Sequence, residues 1–296
     1  MFPGATASRT DAAYVVVGAP LDISTSFRPG TRFGPERIRR FARPFDDYDR
    51  RTDLRFSDCS VHDYGDVRAW DDAAEYLAWL SGELRDVVRD DAVPLLLGGE
   101  HTVTAAGVEA VSPDVFVCLD AHLDLREAYD GNEYSHATVT RRILDGAGGA
   151  DGDGVDDADD DGAANGADAG VAAAVDEAVI LGARTGSPAE WDRAEDDDVT
   201  VVAPEDVADF DLAAHLDGRS AYLSVDVDAA DPGFAPGTGT PEPFGLEPRE
   251  MRDVVRTVAP RAAGFDVVEV NDRDDGQAAS LAAKLCREFV FAHADS

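Results

Sequence analysis

The chain has 296 residues, of which 61 are acidic and 26 are basic, so its formal net charge is −35. The phosphate backbone of nucleic acids and anionic membrane surfaces would repel such a charge, and we expect neither as a partner. An apolar content of 44% is sufficient for a sizeable core, so we expect a folded chain, and its length allows one large domain or two ordinary ones. No apolar run approaches the roughly 20 residues that a membrane-spanning helix needs.

The composition also indicates a cellular compartment. The N-terminal residues lack the basic and then apolar order of a signal peptide. The three cysteines, Cys59, Cys118 and Cys286, share no short spacing, so we expect reduced thiols in a cytoplasmic protein. Lys284 is the only lysine, and acidic residues occur along the whole chain. Because salt screens self-repulsion, this composition favours a halophilic protein in a salt-rich cytoplasm over an ordinary acidic protein.

Short apolar runs alternate with helix-like segments, which predicts a parallel sheet covered by helices on both faces. The predicted strands are Tyr14–Gly18, Val93–Leu97, Val115–Leu119, Ala178–Leu181, Val199–Val202, Ala221–Val227 and Gly264–Val270. The predicted helices are Gly34–Phe41, Asp71–Arg89, Val103–Ala110, Ala137–Leu144, Glu205–Leu216, Glu247–Val258 and Gln277–Ala292. Sheets of this kind bind ligands beyond the carboxyl ends of their strands.

Residues 145–177 do not follow this alternation. Eight aspartates and no cation lie between Asp151 and Gly170, and most of the other residues are alanine and glycine. This composition is typical of a disordered, solvated segment. We therefore expect an acidic insertion on the surface of the domain, with solvation as its role.

Three segments that follow predicted strands carry side chains able to bind metal ions. They supply two imidazoles and four carboxylates: His101, Asp120, His122, Asp124, Asp226 and Asp228. Alternate residues of an extended chain point to the same side, so Asp120, His122 and Asp124 can converge on one point, as can the last two aspartates. Four carboxylates raise one another's pKa unless cations neutralise them, and two divalent ions balance their charge. Each residue alone fits a capping or turn role, but together they indicate a two-metal site, best suited to Mn²⁺.

Five segments, in chain order, resemble motifs of the ureohydrolase family, which includes arginases and agmatinases. They are GAPLDISTSFRPGTRFGPERIR (18–39), GGEHTVT (98–104), DAHLDLREAYDGNEYSHATVTRRI (120–143), SVDVDAADPGFAPGTGTPEPFGL (224–246) and DVVEVN (266–271). The resemblance is closest to agmatinases and covers nearly the whole chain except the acidic insertion. It implies a single domain over residues 1–296, with an α/β fold of three α/β/α layers around a parallel eight-stranded sheet. Ser57–Val61 is the candidate eighth strand.

The resemblance implies two Mn²⁺ per subunit and a role for each of the six side chains. His101 and Asp124 match ligands of one ion, His122 and Asp228 match ligands of the other, and Asp120 and Asp226 match the bridging carboxylates. In the implied reaction, a hydroxide bridging the two ions hydrolyses agmatine to putrescine and urea in polyamine biosynthesis. The family also implies a homo-oligomer, either a trimer or a hexamer.

Two further residues match catalytic positions of the family. His136 matches the histidine that moves protons, and imidazole titrates near neutral pH. Glu269 matches the glutamate that holds the substrate guanidinium, which a carboxylate can bind in a bidentate manner. The alternatives are a packing histidine and a solvated strand-end glutamate. The family commonly has a proline two or three residues after that glutamate, whereas this chain has Asn271 and Asp272.

The segment between the second metal-binding motif and His136 should face the substrate tail. It carries Glu127, Asp130 and Glu133 against a single cation, Arg126. A net negative charge favours a tail that ends in an amine, as in agmatine or the longer aminopropylagmatine. If Arg126 instead pairs with a carboxylate, guanidinobutyrate and arginine are the substrates. The alternative of another class is a catalytically inactive metal-binding regulatory protein.

Overall fold

The computed structural model describes residues 1–146 and 175–296. Most of the predicted acidic insertion therefore lies outside the described residues. On its two sides, Asp145 ends a helix and Glu177 begins a strand, so neither belongs to a loop. No helix in the described ranges is long and apolar enough to cross a membrane.

A parallel sheet of eight strands forms the centre of the molecule, and the predicted sheet is confirmed. Its strands are β1 (Tyr14–Ala19), β4 (Val61–Asp66), β5 (Val93–Gly98), β6 (Val115–Leu119), β7 (Glu177–Leu181), β8 (Val199–Val202), β9 (Ala221–Asp226) and β10 (Ala262–Val268). A short hairpin, β2 (Tyr48–Asp49) and β3 (Leu54–Arg55), lies outside the sheet. The strand order is β4-β1-β5-β10-β9-β6-β7-β8, and every neighbouring pair is parallel.

Helices cover both faces of this sheet and give the three layers. They are α1 (Gly34–Phe41), α2 (Ala73–Arg89), α3 (Thr104–Val111), α4 (Val139–Asp145), α5 (Pro188–Arg193), α6 (Leu212–Leu216), α7 (Pro248–Val258) and α8 (Gln277–Ala294). Helices α1, α6, α7 and α8 share one apolar core with one face of the sheet. Helices α2, α3 and α4 pack against the other face. Because both faces are covered, strands β1, β6 and β9 are buried along their whole length.

Two sequence predictions of elements were wrong. The eighth strand is β4, not Ser57–Val61, because Phe56–Asp58 forms a 3₁₀ turn and Ser60 has a φ of +54°. As an edge strand β4 is polar and only partly buried, so it lacks an apolar run. The predicted helix Glu205–Leu216 is reduced to α6, because the Asp211 side chain accepts a hydrogen bond from the Ala214 amide and caps the helix there.

The strand order concentrates polar loops at the centre of the sheet. Strands β10 and β9 lie between β5 and β6, although they come last in the chain. The carboxyl ends of these four neighbouring strands therefore open onto the same edge. A crevice at such a change of strand order is the usual ligand site of an open α/β sheet.

Candidate metal centre and its surroundings

The six predicted metal ligands lie together at this edge, in two groups that share Asp120. In the first group, His101 Nδ1 lies 3.0 Å from an oxygen of Asp124 and 3.1 Å from Oδ2 of Asp120. The same nitrogen is 3.5 Å from Oδ2 of Asp226. This arrangement surrounds one point with one imidazole and three carboxylates.

The second group lies on the other side of Asp120. His122 Nδ1 is 3.1 Å from Oδ2 of Asp228 and 3.6 Å from Oδ1 of Asp120. The two oxygens of Asp120 therefore face different histidines. The geometry suits two neighbouring cations that share a carboxylate.

One buried atom tests whether a cation fits here. His101 Nδ1 is buried and has no hydrogen-bond partner within the described chain, although three carboxylates face it. Its other nitrogen, Nε2, is 3.2 Å from the Ser224 hydroxyl, which donates to Asp266 at 2.6 Å. With the proton on Nε2, Nδ1 and the carboxylate oxygens are all acceptors. A cation bound between them satisfies all of them together, so the residues fit a metal ion.

Unneutralised charge shifts the pKa values of this cluster. Burial, and then the charges of Asp228 and Asp120, raise the pKa of Asp226 well above its ordinary range. Burial and the Asp120 charge raise the pKa of Asp124 to about 7. Burial by itself lowers the pKa of His122, but Asp228 and Asp120 outweigh it and raise that pKa to about 12. The cluster therefore holds protons that divalent cations would displace.

The two predicted catalytic residues lie beside the first group. An oxygen of Glu269 accepts a hydrogen bond of 2.8 Å from the His101 amide, and His136 Nδ1 is 3.9 Å from the same oxygen. Burial and the positive charges of His122 and His101 lower the pKa of His136 to about 4, so this imidazole is neutral at pH 7. A neutral imidazole beside the candidate metal ligands can accept a proton.

Backbone strain accompanies two of these positions. Glu269 has a φ of +60° and Asp124 a φ of +52°, in the left-handed region that non-glycine residues rarely adopt. Glu269 directly follows β10, and Asp124 lies close to the end of β6. Strain of this kind persists where the surrounding contacts fix the residue, and it is common at functional sites.

Several residues that support the site carried only weak sequence signals. Ser224 and Asp266 are polar residues inside apolar strands, which was a usable signal. Cys118 was predicted only as a reduced thiol, but its sulfur lies 3.7 Å from His101 Nε2 and 3.8 Å from Oδ2 of Asp120. Burial raises the pKa of the Cys118 thiol to about 12. This neutral thiol packs on the Nε2 side of the ring, whereas the carboxylates face Nδ1.

Arg184 had no predictable role, because its partners are main-chain carbonyls. Its guanidinium donates hydrogen bonds to six main-chain carbonyls, those of Gly182, Asp228, Ala229, Ala230, Glu242 and Pro243. It therefore joins the end of β7 to both ends of the loop that follows β9. Since Asp228 begins that loop, Arg184 fixes the backbone of a metal ligand.

The predicted tail segment lies on the surface, and its one cation is already paired. Arg126 Nη2 is 3.1 Å from an oxygen of the buried Glu190, and its guanidinium lies 5.5 Å from the centre of the Tyr129 ring. The three acidic residues of the segment have exposed side chains: Glu127, Asp130 and Glu133. Glu127 lies 3.9 Å from Nη2 of Arg141. The segment thus presents exposed carboxylates and an arginine that is already paired.

Asn271 accounts for the departure from the family pattern after Glu269. Its amide donates to the Gly237 carbonyl at 2.8 Å, and its side chain donates to the Arg28 carbonyl at 2.8 Å. It therefore bridges the loops that follow β1 and β9. Both loops border the six candidate metal ligands. The bridge therefore fixes the side of the site that a proline would otherwise stiffen.

Comparison with known proteins identifies the family of this chain. A model of the arginase family matches residues 12–292. The chain belongs to the arginase family. It is 34% identical over 284 residues to the agmatinase of Pyrococcus horikoshii, across 93% of this chain and 90% of that protein. It is also 34% identical to the N(1)-aminopropylagmatine ureohydrolase of Thermococcus kodakarensis, across 93% of this chain and 88% of that protein.

A solved structure extends the agreement to the fold. The agmatine ureohydrolase of Thermoplasma volcanium superposes with a TM-score of 0.84 at 30% identity, covering 99% of this chain and 94% of that one. The predicted resemblance to ureohydrolases of the agmatinase group is therefore confirmed. The arginase family membership makes the chain a hydrolase of guanidino compounds.

Proposed function

We propose that this member of the arginase family is an agmatinase-type ureohydrolase that hydrolyses agmatine to putrescine and urea. The observation that carries the proposal is the pair of histidine-carboxylate groups that share Asp120, with His136 and Glu269 beside them. The similarity to a named agmatinase and to a named agmatine ureohydrolase supports the same reaction. Polyamine biosynthesis is the corresponding pathway.

Two Mn²⁺ per subunit are part of this proposal. His101 and Asp124 would hold one ion, His122 and Asp228 the other, and Asp120 and Asp226 both. When bound, the ions would supply Lewis acidity and lower the pKa of coordinated water. Mn²⁺ is favoured because the donor set is rich in oxygen and contains imidazole.

The chain's own residues would orient the substrate and move the proton. The Glu269 carboxyl group is buried, and a guanidinium beside it would favour its charged form. It would then pair with the planar guanidinium and fix the angle at which its carbon is attacked. His136 is neutral at pH 7, so it would accept a proton at the site and pass it to the departing amine. Expulsion of the amine requires that proton, because an unprotonated amine is a poor leaving group.

The tail segment supports a cationic substrate. Arg126 is neutralised by Glu190, so it is not available to a substrate carboxylate. The exposed Glu127, Asp130 and Glu133 attract a terminal amine. This favours agmatine and disfavours arginine and guanidinobutyrate. Aminopropylagmatine is the second candidate, because it carries the same kind of charge and one similar protein is named for it.

We further propose a cytoplasmic homo-oligomer, a trimer or a hexamer, in a salt-rich cell. We also propose that the chain forms a single domain and that the acidic segment at about 145–177 is an insertion in it. The charge of −35 supports the halophilic habit, and the family resemblance supports the oligomer.

The test is urea release in molar KCl with added Mn²⁺, using four substrates at equal concentration. We expect release from agmatine to exceed that from arginine and guanidinobutyrate by at least about 100-fold, since unfavourable charge costs several kcal/mol. Preference for aminopropylagmatine would keep the reaction class and change the substrate. Release chiefly from arginine, or no urea from any compound by the metal-loaded protein, would contradict the proposal.

A further inference from the structure

The buried Glu100 directly precedes His101 in the chain, but it is not one of the six proposed metal ligands. The Glu100 side chain has no solvent exposure, and it accepts four hydrogen bonds. Two come from the amides of Ile23 and Ser24, each at 2.8 Å, and two from the hydroxyls of Ser24 and Thr102, at 2.8 and 3.0 Å. Three of the four donors belong to the loop after β1. This carboxylate therefore fixes that loop beneath the site.

The same loop contacts both the main chain and the ring of His136. The Ser24 hydroxyl, which donates to Glu100, accepts a hydrogen bond of 2.9 Å from the His136 amide. The Ser26 hydroxyl lies 3.1 Å from His136 Nε2. A continuous chain of hydrogen bonds thus runs from Glu100 through Ser24 to the backbone of His136, and a second contact fixes its ring.

The arrangement is specific to this histidine. His136 begins a 3₁₀ turn, and its neighbour Ser135 caps that turn together with Thr138. These caps fix the turn within its own segment, but they do not connect it to the sheet. The connection to β5 and the metal cluster runs through Ser24 and Glu100. A shift of this loop would therefore move the imidazole relative to Glu269, whose oxygen lies 3.9 Å from Nδ1.

We propose that Glu100 and Ser24 are positioning residues that hold His136 at the distance from the reaction centre that proton transfer requires. The inference rests on the proposed function of His136. Glu100 supplies a fixed, buried acceptor, and Ser24 transmits its position to the histidine main chain. Neither residue is proposed to touch the substrate or the metal ions.

A double-mutant cycle tests this proposal in the metal-loaded enzyme with agmatine. The variants are Ser24→Ala, His136→Ala and the double variant, and each is checked for bound Mn²⁺. We expect Ser24→Ala to lower kcat by about 10- to 100-fold with little change in KM, because small displacements of a catalytic group have effects of that size. The double variant should lose no more than His136→Ala alone, because Ser24 acts through that residue. Ser24→Thr keeps the hydroxyl and should restore most of kcat.

Ser220→Ala is the matched control. Ser220 donates from its amide and hydroxyl to Asp114 at 2.8 and 2.7 Å, the same pairing, but at the amino end of β9. It should keep the wild-type kcat. Two results would overturn this inference but leave the proposed function intact, provided that the wild type is active. In the first, Ser24→Ala keeps the wild-type kcat. In the second, Ser24→Ala loses Mn²⁺ in proportion to its loss of kcat. The inference is also overturned if the fold-loss of kcat in the double variant equals the product of the losses in the two single variants. A wild type that releases no urea overturns the proposed function as well.

Discussion

Glu269 combines burial, charge and an unusual backbone at one residue. It is 2% exposed, and its amide donates to the Gly99 carbonyl while its carboxylate accepts from the His101 amide. Burial, followed by the charges of Glu100 and Asp228, raises the pKa of Glu269 well above its ordinary range. Such a carboxylate is stabilised most by a cation that arrives at its free oxygen, and a guanidinium is the cation that the proposed reaction supplies.

The Glu269→Gln variant should separate this charge from the shape of the side chain. Glutamine can still accept from the His101 amide, but it cannot form a charged pair with a guanidinium. We expect kcat/KM for agmatine to fall by at least about 30-fold, since losing one partner of a buried charge pair costs about 2–5 kcal/mol. Glu288→Gln is the control, because Glu288 is buried in α8 and pairs with Arg256. Equal losses in both variants would contradict a substrate role for Glu269.

Which residues could be predicted depended on how their partners are spaced. The period of two along a strand places Asp120, His122 and Asp124 on one side, so the sequence predicted their proximity. The role of Arg184 could not be predicted, because its acceptors are carbonyls far away in the chain. The pairing of Arg126 with Glu190 could not be predicted for the same reason, since 64 positions separate them and Glu190 belongs to none of the five motifs.

At the scale of elements, α1 is attached to the polar edge strand β4 by an ion pair. Arg39 donates from Nε and Nη2 to the two oxygens of Asp63 at 2.9 and 2.8 Å. The Asp63 side chain is 1% exposed, and it also accepts from the Phe2 amide. Burial alone would raise the pKa of Asp63, but the hydrogen bonds and charge of Arg39 outweigh burial and lower it.

This pair predicts a pH-dependent contribution to stability. The folded-state pKa of Asp63 is below the unfolded value of about 3.9. The contribution is therefore complete above about pH 4 and is lost as the pH falls through the folded-state pKa. Asp63→Asn should lower the free energy of unfolding by about 3 kcal/mol at pH 7, because it removes the buried partner of Arg39 and leaves this arginine paired with the half-exposed Asp66.

Denaturant unfolding of both proteins between pH 7 and pH 3 measures this difference. It should begin to shrink below about pH 4, where Asp63 of the unfolded wild type becomes protonated before Asp63 of the folded protein. Asp86→Asn is the control, since Asp86 pairs with Arg89 where both side chains are mostly exposed. A difference that stays constant over the whole pH range would show that Asp63 acts through packing and not through its charge.

The elements that sequence reasoning found share one property: they are apolar runs buried on both faces. The seven predicted strands all exist, within one to three residues of their observed bounds. Strand β4 was misplaced because an edge strand needs no apolar pattern, and α5 and the β2–β3 hairpin were missed because they are only a few residues long. Local capping by Asp211 decided the start of α6, against the longer pattern.

At the scale of the whole molecule, charge repulsion opposes folding. The chain carries −35 at pH 7 and has an isoelectric point near 4.2. The screening length in water falls from about 10 Å at about 0.1 M salt to about 3 Å at about 1 M. Neighbouring surface carboxylates therefore repel one another strongly in dilute salt and weakly in concentrated salt.

Thermal unfolding should depend on KCl for this reason. We expect the Tm at pH 7 to rise by more than about 5 °C between about 0.1 and 3 M KCl, corresponding to a gain of a few kcal/mol. At pH 5, close to the isoelectric point, fewer charges remain to be screened and the rise should be smaller. An equal rise at both pH values would indicate general salt exclusion from the surface and contradict the screening explanation.

The order of strands in the sheet also determines when in the life of a chain the site can exist. The two central strands, β9 and β10, are synthesised last, yet they lie between β5 and β6, which carry the earlier ligands. A nascent chain that has not reached β9 lacks Asp226, Asp228 and Glu269 and exposes two half-sheets with open edges. The proposed metal centre can therefore be complete only after β9 and β10 have been synthesised, and metal ions bound there would stabilise only completed molecules.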